Sequence, residues 1–201
     1  MACPLAEDFK EEKKMGQYYD ILVKQGNRWE HYDRSVNGEY VLAKLMEHSL
    51  WFNETVGAIC KKLYGKPSNV VWVGDYSDEG DLVNEMSESD LVKFHRMCYG
   101  KRALKARTLE LGSVLLWDRY LVNHDKKVYL DCSKYYEKSC VKDWCIHPLP
   151  LLTAIGNGRG GGDYRGCNSE RVGEWAGDTI SVEEKIPSTE YTETEVVFKE
   201  E

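Results

Sequence analysis

The sequence predicts an α+β fold: a mostly antiparallel sheet with one long and one short helix packed on it. Short apolar runs of strand length recur between polar turns, and two of them pair into hairpin patterns. One segment instead repeats its apolar residues at three- and four-residue steps, which is the period of a helix face. Strands outnumber helices and hairpins dominate, so neighbouring strands should run mostly antiparallel.

Residues 1–14 (MACPLAEDFKEEKK) are charged and lack an apolar h-region, so they read as a mobile tail and not as a secretory signal. A single domain is expected over 15–198. Residues 18–23 (YYDILV) form a strand, Gln25-Gly26-Asn27 a turn, and 29–32 the return strand. A long helix is expected over 39–64, with Leu42, Leu45, Met46, Ser49, Phe52, Val56, Ile59 and Leu63 on its period. Asn37 is its N-cap, Gly65 its C′ residue, and Pro67 lies beyond. Its Leu42/Leu45/Phe52/Val56/Ile59 face should pack on the sheet. Residues 70–73 (VVWV) read as a buried strand running into an acidic turn at 74–81. A short helix fits Glu88–Tyr99, capped by Ser87 and stopped by Gly100, with Leu91, Phe94, His95 and Cys98 inward. Residues 113–123 and 128–132 flank the turn 124–127 as a second hairpin. Strands are expected at 179–182 and 195–198. Each hairpin precedes a strand expected to end in Gly-Asp, at Gly74-Asp75 and Gly177-Asp178. The pattern suits a degenerate internal duplication or two hairpins alike by chance.

Composition is that of an ordinary globular chain: 42% hydrophobic, 30% charged, net charge −7. No apolar run approaches the roughly 20 residues that span a bilayer, so no membrane partner is expected. The acidic balance argues against duplex nucleic acid, whose binding leans on many phosphate contacts. Seven cysteines without a secretory signal read as reduced thiols in a cytoplasmic protein.

Residues 156–166 (GNGRGGGDYRG) hold six glycines, two arginines and one aspartate. The run matches neither a P-loop, having no Lys-Ser/Thr after the glycines, nor a dinucleotide fingerprint in a strand–loop–helix unit. Its chemistry is that of an anion nest: small residues let successive amides turn inward, and arginines add forked donors. Asn157, Gly158, Arg159, Gly160, Gly161, Gly162, Asp163 and Arg165 are the candidate contacts with a small phosphorylated ligand. The bland alternative is a tight irregular loop whose arginines face water. Downstream, Trp175 in VGEWAGD offers a wall for a base or sugar, or packs in the core. Asp178 and Asp75 each follow a glycine; carboxylates there hold a hard cation or stabilise a turn by accepting backbone N–H bonds.

Cys132, Cys140, Cys145, His147 and Cys167 lack the spacing of a zinc knuckle, so free thiols and no metal are expected. Cys145 with His147 has no orienting third group for nucleophilic catalysis. The basic stretch 101–107, with Lys93 and Arg96 upstream, reads as solvated surface before it reads as a docking site.

Four boxes, MGQYY (15–19), VGDYSDE (73–79), GNGRGGGD (156–163) and VGEWAGD (172–178), resemble those of an uncharacterised family of bacteria and their viruses. Its shorter members begin MGQYY and carry GNGRGGGD, GSWAGD and GDYAD boxes in that order. The resemblance implies that Met15 is the ancestral start and that the boxes form one shared site or one shared structural device. Here the GDY box precedes the glycine box, which puts Asp75 in question as its partner. Three functions follow as expectations. One is binding of a small anionic, nucleotide-like ligand, in a viral setting a counter-defence protein that sequesters a signalling nucleotide. The second is a hydrolase of such a ligand, with Asp163, Asp178 and Asp75 holding Mg²⁺. The third is a module that binds a host protein. No cofactor is named by the sequence.

Overall fold

The computed structural model describes residues 17–36, 38–40, 44–77, 87–110, 112, 116–140, 144–156 and 164–199. The expected tail, the Asn37 cap, Leu42 and the turn residues 78–81 lie outside them. Strands β1 (Tyr19–Gln25) and β2 (Arg28–Val36) form the first hairpin, in register from Gln25 opposite Arg28 to Ile21 opposite Tyr32. The edge strand β3 (Glu39–Tyr40) continues from β2. Strand β4 (Ser68–Gly74) lies antiparallel on the other side of β1, with Tyr19 opposite Gly74. The second hairpin is β6 (Tyr120–Asn123) with β7 (Val128–Asp131), and β9 (Thr179–Glu183) lies antiparallel on β6. The two halves of the sheet join where Ser68 and Asn69 face Ile180 and Thr179.

Three short strands add in parallel: β5 (Ala106–Leu109) on β2, β8 (Ala154–Ile155) on β4 and β10 (Thr192–Glu193) on β7. The α+β class holds, but the sheet is mixed rather than mostly antiparallel. Parallel neighbours are joined by long crossovers, not turns, so the hairpin signals in the sequence do not reveal them.

Helices cover both faces. Ile21, Val23, Val70 and Trp72 point into a core shared with α1 (Leu45–His48), α2 (Glu54–Leu63), α4 (Cys132–Ser139) and α5 (Pro148–Thr153). Leu22, Val71 and Val73 point the other way, onto Leu91, Phe94 and Cys98 of α3 (Glu88–Tyr99). A strand buried on both faces needs a continuous apolar run, which is why VVWV does not alternate. Helix α3 has the expected bounds, with Ser87 accepting from the Asp90 N–H and Gly100 as its C-cap; His95 lies half-buried at its edge.

The long helix is not continuous. Glu39 and Tyr40 pair with β2, and among the described residues of 39–64 helical structure appears only in α1 and α2. The break at 49–53 is imposed from outside: the Trp51 N–H donates to the Cys145 carbonyl (2.9 Å), and the Ser49 carbonyl accepts from the His147 N–H (2.6 Å). These long-range bonds divert the backbone groups that would continue α1. Asn53 then restarts the helix, its side chain accepting from Thr55 and Val56 N–H. Gly65 stops it at φ 61°, as expected. Phe52 therefore leaves the core face and is 67% exposed.

Four further corrections concern the C-terminal half. The second hairpin's first strand is short, beginning at Tyr120. Gly74-Asp75 ends β4, whereas Gly177-Asp178 precedes β9, so the two pairs are not equivalent positions. Residues 195–198 are not a strand. Val196 and Phe198 are core residues, held by the Asn168 side-chain amide donating to the Val197 carbonyl (2.8 Å) and by Tyr164 O–H donating to the Lys199 carbonyl (2.9 Å). Finally, Cys140 and Cys145 are joined by a disulfide, closing the loop after α4, whereas Cys60, Cys98 and Cys132 are buried thiols.

Two measurements check this arrangement. In chemical denaturation Phe52→Ala should change stability by less than about 1 kcal/mol, as surface substitutions do. Ile59→Ala, at a fully buried position of α2, should cost ~2–5 kcal/mol. Thiol titration of denatured, unreduced protein should count five of the seven cysteines, and all seven after reduction.

Candidate functional site

Of the glycine box, Asn157, Gly158, Arg159, Gly160, Gly161, Gly162 and Asp163 lie outside the described residues. Its approach is clear. Strand β8 runs parallel to the end of β4, Trp72 beside Ala154 and Val73 beside Ile155, so Gly156 emerges next to Gly74. Gly74 opens a β-turn in which the Ser77 N–H donates back to its carbonyl (3.1 Å). Gln17 reaches beneath both glycines. A Cβ on Gly74 would stand 2.4 Å from Gln17 Nε2, and one on Gly156 would stand 2.7 Å from that atom and 3.1 Å from Ser77 Cβ. Gly156 also has φ 96°, which disfavours any side chain. The MGQYY box, the GDY box and the first residue of the glycine box thus share one notch.

Gln17 is 0% exposed and Ser77 2%. The Tyr19 hydroxyl donates to Gln17 Oε1 (2.9 Å), which turns Nε2 toward the notch. Among the described residues, neither Gln17 Nε2 nor Ser77 Oγ has a hydrogen-bond partner. They are two of eight buried side-chain polar atoms without a hydrogen-bond partner among the described residues, and the two that lie beside the glycine box.

The opposite face of the same strand end carries charge. Asp20 is buried and accepts from His31 Nε2 (2.9 Å) and Arg34 Nε (3.3 Å), and its N–H donates to the Tyr99 hydroxyl (3.1 Å). His31 Nδ1 faces the Leu104 carbonyl (3.1 Å). Both ring nitrogens meet acceptors, so both carry protons and His31 is a cation. Burial alone would lower its pKa, but the bonds to Asp20 and Leu104 and the Asp20 charge raise it above the ordinary 6.5. Arg34 lies over the Tyr18 ring at 4.7 Å. The Tyr18 N–H donates to Asp75 Oδ1 (3.1 Å), and His95 Nε2 donates to the Asp75 carbonyl (3.1 Å). Burial raises the Asp75 pKa against the opposing pull of the Tyr18 N–H and Arg34.

This geometry limits the chemistry. His31 has no lone pair left to act as a base beside Asp20. His147 Nδ1 accepts from the Leu149 N–H (3.2 Å), so its proton sits on Nε2 and points at Cys60 Sγ (3.6 Å). It cannot take the Cys60 proton, and burial pushes that thiol up. Cys145 is bonded to Cys140 and is no nucleophile for His147. Among the described residues no group of three or more His, Cys, Asp or Glu is placed to hold a metal.

The VGEWAGD box lies elsewhere on β4. The Gly177 N–H donates to the Val70 carbonyl (2.9 Å), the Val70 N–H to the Asp178 carbonyl (3.3 Å), and Asn69 Nδ2 to the Gly177 carbonyl (2.8 Å). It fills the edge of β4 between β9 and β8. Asp178 is thus about five residues along the strand from Asp75, or ~16 Å at 3.3 Å per residue. The two carboxylates cannot share one ion, whose ligands lie ~2–2.6 Å from it. Asp178 instead pairs with Lys126 Nζ (2.6 Å) and accepts from Asn123 Nδ2 (2.8 Å). Trp175 is 0% exposed and packs in the core, where no face is open to a base. Arg165 is exposed. Beside the box is a cleft of about 940 Å³ lined by Lys24, Trp29, Lys93, Lys126, Arg171 and Asp178 among others. Most of its cations are matched: Lys126 by Asp178, Arg171 by Glu174 (2.5 Å) and Lys93 by Asp90 (3.8 Å). In the basic stretch, Lys101, Arg102 and Lys105 are exposed, while Arg107 pairs with Glu30 (2.7 Å) from β5 to β2.

Gln17, Ser77, Asp20, His31 and Arg34 were not among the candidates from sequence. The available signal was polarity out of place: an aspartate inside the apolar strand YYDILV, and a glutamine just before it.

The histidines predict opposing pH slopes. His48 and His147 are fully buried, and burial lowers their pKa to about 4 and about 3. They stay neutral in the fold, so their contribution is present above pH 6.5 and is lost as pH falls through those values. His31 has a raised pKa, so its contribution is full below pH 6.5 and is lost as pH rises through the folded value. Unfolding free energies across pH 4–9 should show both slopes, and His31→Asn should flatten only the alkaline one. Comparisons with protein-family models, with curated proteins and with solved structures find no match to this chain.

Proposed function

We propose that the chain binds a small anionic, nucleotide-like ligand at the glycine box. The observation that supports this reading is the notch beneath Gly74 and Gly156, where two boxes and the first residue of a third surround two buried hydrogen-bonding groups with no partner among the described residues. The notch lies at the carboxyl ends of the parallel pair β4 and β8, the end at which open sheets present ligand sites. Arg159 and Arg165 supply the charge. By its resemblance to the family with MGQYY, GNGRGGGD, WAGD and GDY boxes, the protein acts in a viral setting, sequestering a signalling nucleotide against a bacterial defence. The sheet's plan accords with a degenerate duplication: each hairpin is followed by an antiparallel partner for its first strand (β4, β9) and a parallel partner for its second (β5, β10).

A second reading, binding of a host protein, has one observation in its favour. Phe52 and the 43% exposed Trp144 lie near the Leu50–Ile146 bridge, and Phe52 packs on Trp117 (ring centroids 5.7 Å). An exposed aromatic patch is a common feature of interfaces.

Mass spectrometry of small molecules released from the native protein separates the two. The first reading expects a phosphorylated compound, the second none. On the first, Arg159→Ala and Arg165→Ala should leave the melting temperature of ligand-free protein nearly unchanged and weaken binding of the recovered compound by ~1.5–3 kcal/mol, the value of a hydrogen bond to a charged group. Destabilised variants with unchanged ligand shifts would end the anion-site reading.

A further inference from the structure

We infer that the open edge of β5, with the basic stretch leading into it, is a docking site for a partner protein, which adds to the sheet as an extended segment of alternating acidic and apolar residues. The inference stands apart from the glycine-box reading and uses none of its residues, so either can fail alone. Three observations carry it.

The first is charge. Residues 96–107 hold five cations (Arg96, Lys101, Arg102, Lys105 and Arg107) and no carboxylate, in a chain of net charge −7. Arg107 is matched by Glu30. Arg96, Lys101, Arg102 and Lys105 are exposed and have no carboxylate partner among the described residues. Such a local excess of positive charge steers an anionic partner toward this surface.

The second is shape. The stretch is not a loose loop. The Ala103 N–H donates to the Gly100 carbonyl (2.9 Å), the Leu104 N–H to the Met97 carbonyl (2.8 Å), and the buried His31 donates from Nδ1 to the Leu104 carbonyl (3.1 Å). Folded back on α3 in this way, it borders two open hollows that share Leu104. One, of about 490 Å³, lies among Arg96, Met97, Arg102 and Leu104. The other, of about 430 Å³, lies among Trp29, Glu30, Leu104 and Lys105. Met97, Leu104 and Trp29 are partly buried against the α3 core, so the hollows have apolar floors and charged rims.

The third is the strand edge. Strand β5 pairs with β2 alone, and among the described residues its other edge carries no strand. Ala106, Arg107 and Thr108 are exposed. An open edge offers main-chain N–H and C=O groups to an incoming strand. Edge cations discourage pairing with apolar strands or with copies of the same edge, but they favour an acidic strand over those competitors. Successive residues of a strand point to opposite faces. Leu104 packs on the α3 side, whereas Arg107 meets Glu30 on the side of Tyr32 and the larger core. A docked strand matches this surface when apolar residues on one of its faces alternate with carboxylates on the other. A nucleic-acid strand cannot use the main-chain edge. Nor is Trp29 a free stacking platform for bases, since it is half-buried and packed edge-on against Phe94 (ring centroids 5.2 Å).

The test follows backbone amide signals of the isotope-labelled full-length protein by NMR. The probes are the peptide Glu-Val-Glu-Val-Glu-Val-Glu with blocked ends, its Lys-for-Glu counterpart, the acidic peptide N-methylated throughout, and a short oligothymidylate. The acidic peptide should shift the signals of residues 104–109, and the lysine peptide should not. N-methylation removes the probe's main-chain donors and should weaken its apparent affinity by about tenfold or more. Arg102→Glu combined with Lys105→Glu changes only exposed residues and should lose the acidic peptide's shifts, because like charges then face each other. Four results would overturn the inference: no shift at 104–109 with the acidic peptide, equal shifts with the lysine peptide, undiminished binding of the N-methylated probe, or a charge-reversed variant that keeps the shifts. Oligothymidylate shifting these signals as strongly as the acidic peptide would make the surface a general polyanion site, and strand addition would fall. The wild-type arms decide the matter even if the variant folds poorly.

Discussion

Strand β4 has neither a face nor an edge turned to water, and the rest of the molecule is arranged to satisfy that requirement. Its side chains alternate between two helix-covered cores. One edge is taken by β1. The other is shared end to end: β9 at Ser68 and Asn69, the VGEWAGD segment at Val70, and β8 at Trp72 and Val73. A backbone group left unpaired in such a place costs as much as a lost hydrogen bond. Segments over a hundred residues apart in the chain therefore converge on seven residues. Four of these stretches meet here: Gln17 packs beneath the end of β4, Gly74–Ser77 turns out of it, Gly156 lies beside it, and Gly177 and Asp178 fill the gap along its edge.

The strand end is electrostatically self-contained. Asp20 is buried and is matched by His31 and Arg34, and Tyr99 bridges its N–H to the Val73 carbonyl, donating at 2.9 Å. Arg34 is in turn laid over Tyr18, whose N–H meets Asp75. This network ties β1, β2, β4 and α3 together just behind the notch. An acidic chain thus has a local region in which acidic and basic side chains are balanced.

Much of this was legible in the sequence where the determinant is local. The hairpin turns, the doubly buried VVWV run and the Ser87-to-Gly100 helix all depend on neighbours in sequence. The long helix failed because its break is set by the Trp51–Cys145 and Ser49–His147 bonds, about a hundred residues away, which override a sound 3.6-residue period. Trp175 carries a large apolar body and a polar tip, so its type suits a core or a ligand wall equally, and only the fold decides. The glycine box was recognisable as a motif, but the packing of Gln17 and Ser77 against Gly74 and Gly156 was not, because it depends on strands far apart in the chain.

The edge of β4 has a consequence during synthesis. Its partner on one side, β1, precedes it in the chain, but β8, the VGEWAGD segment and β9 follow it by some 80–110 residues. At about 5–20 residues per second, the ribosome leaves that apolar edge uncovered for roughly 4–20 seconds. For that interval the nascent chain presents VVWV as an open template for strand addition by other chains. Nor would a cut near residue 110 yield two independent units, because the amino-terminal piece would keep this bare edge permanently. The protein is committed to folding late and as a whole, and its yield in any host depends on how well the growing chain is shielded until the second half arrives.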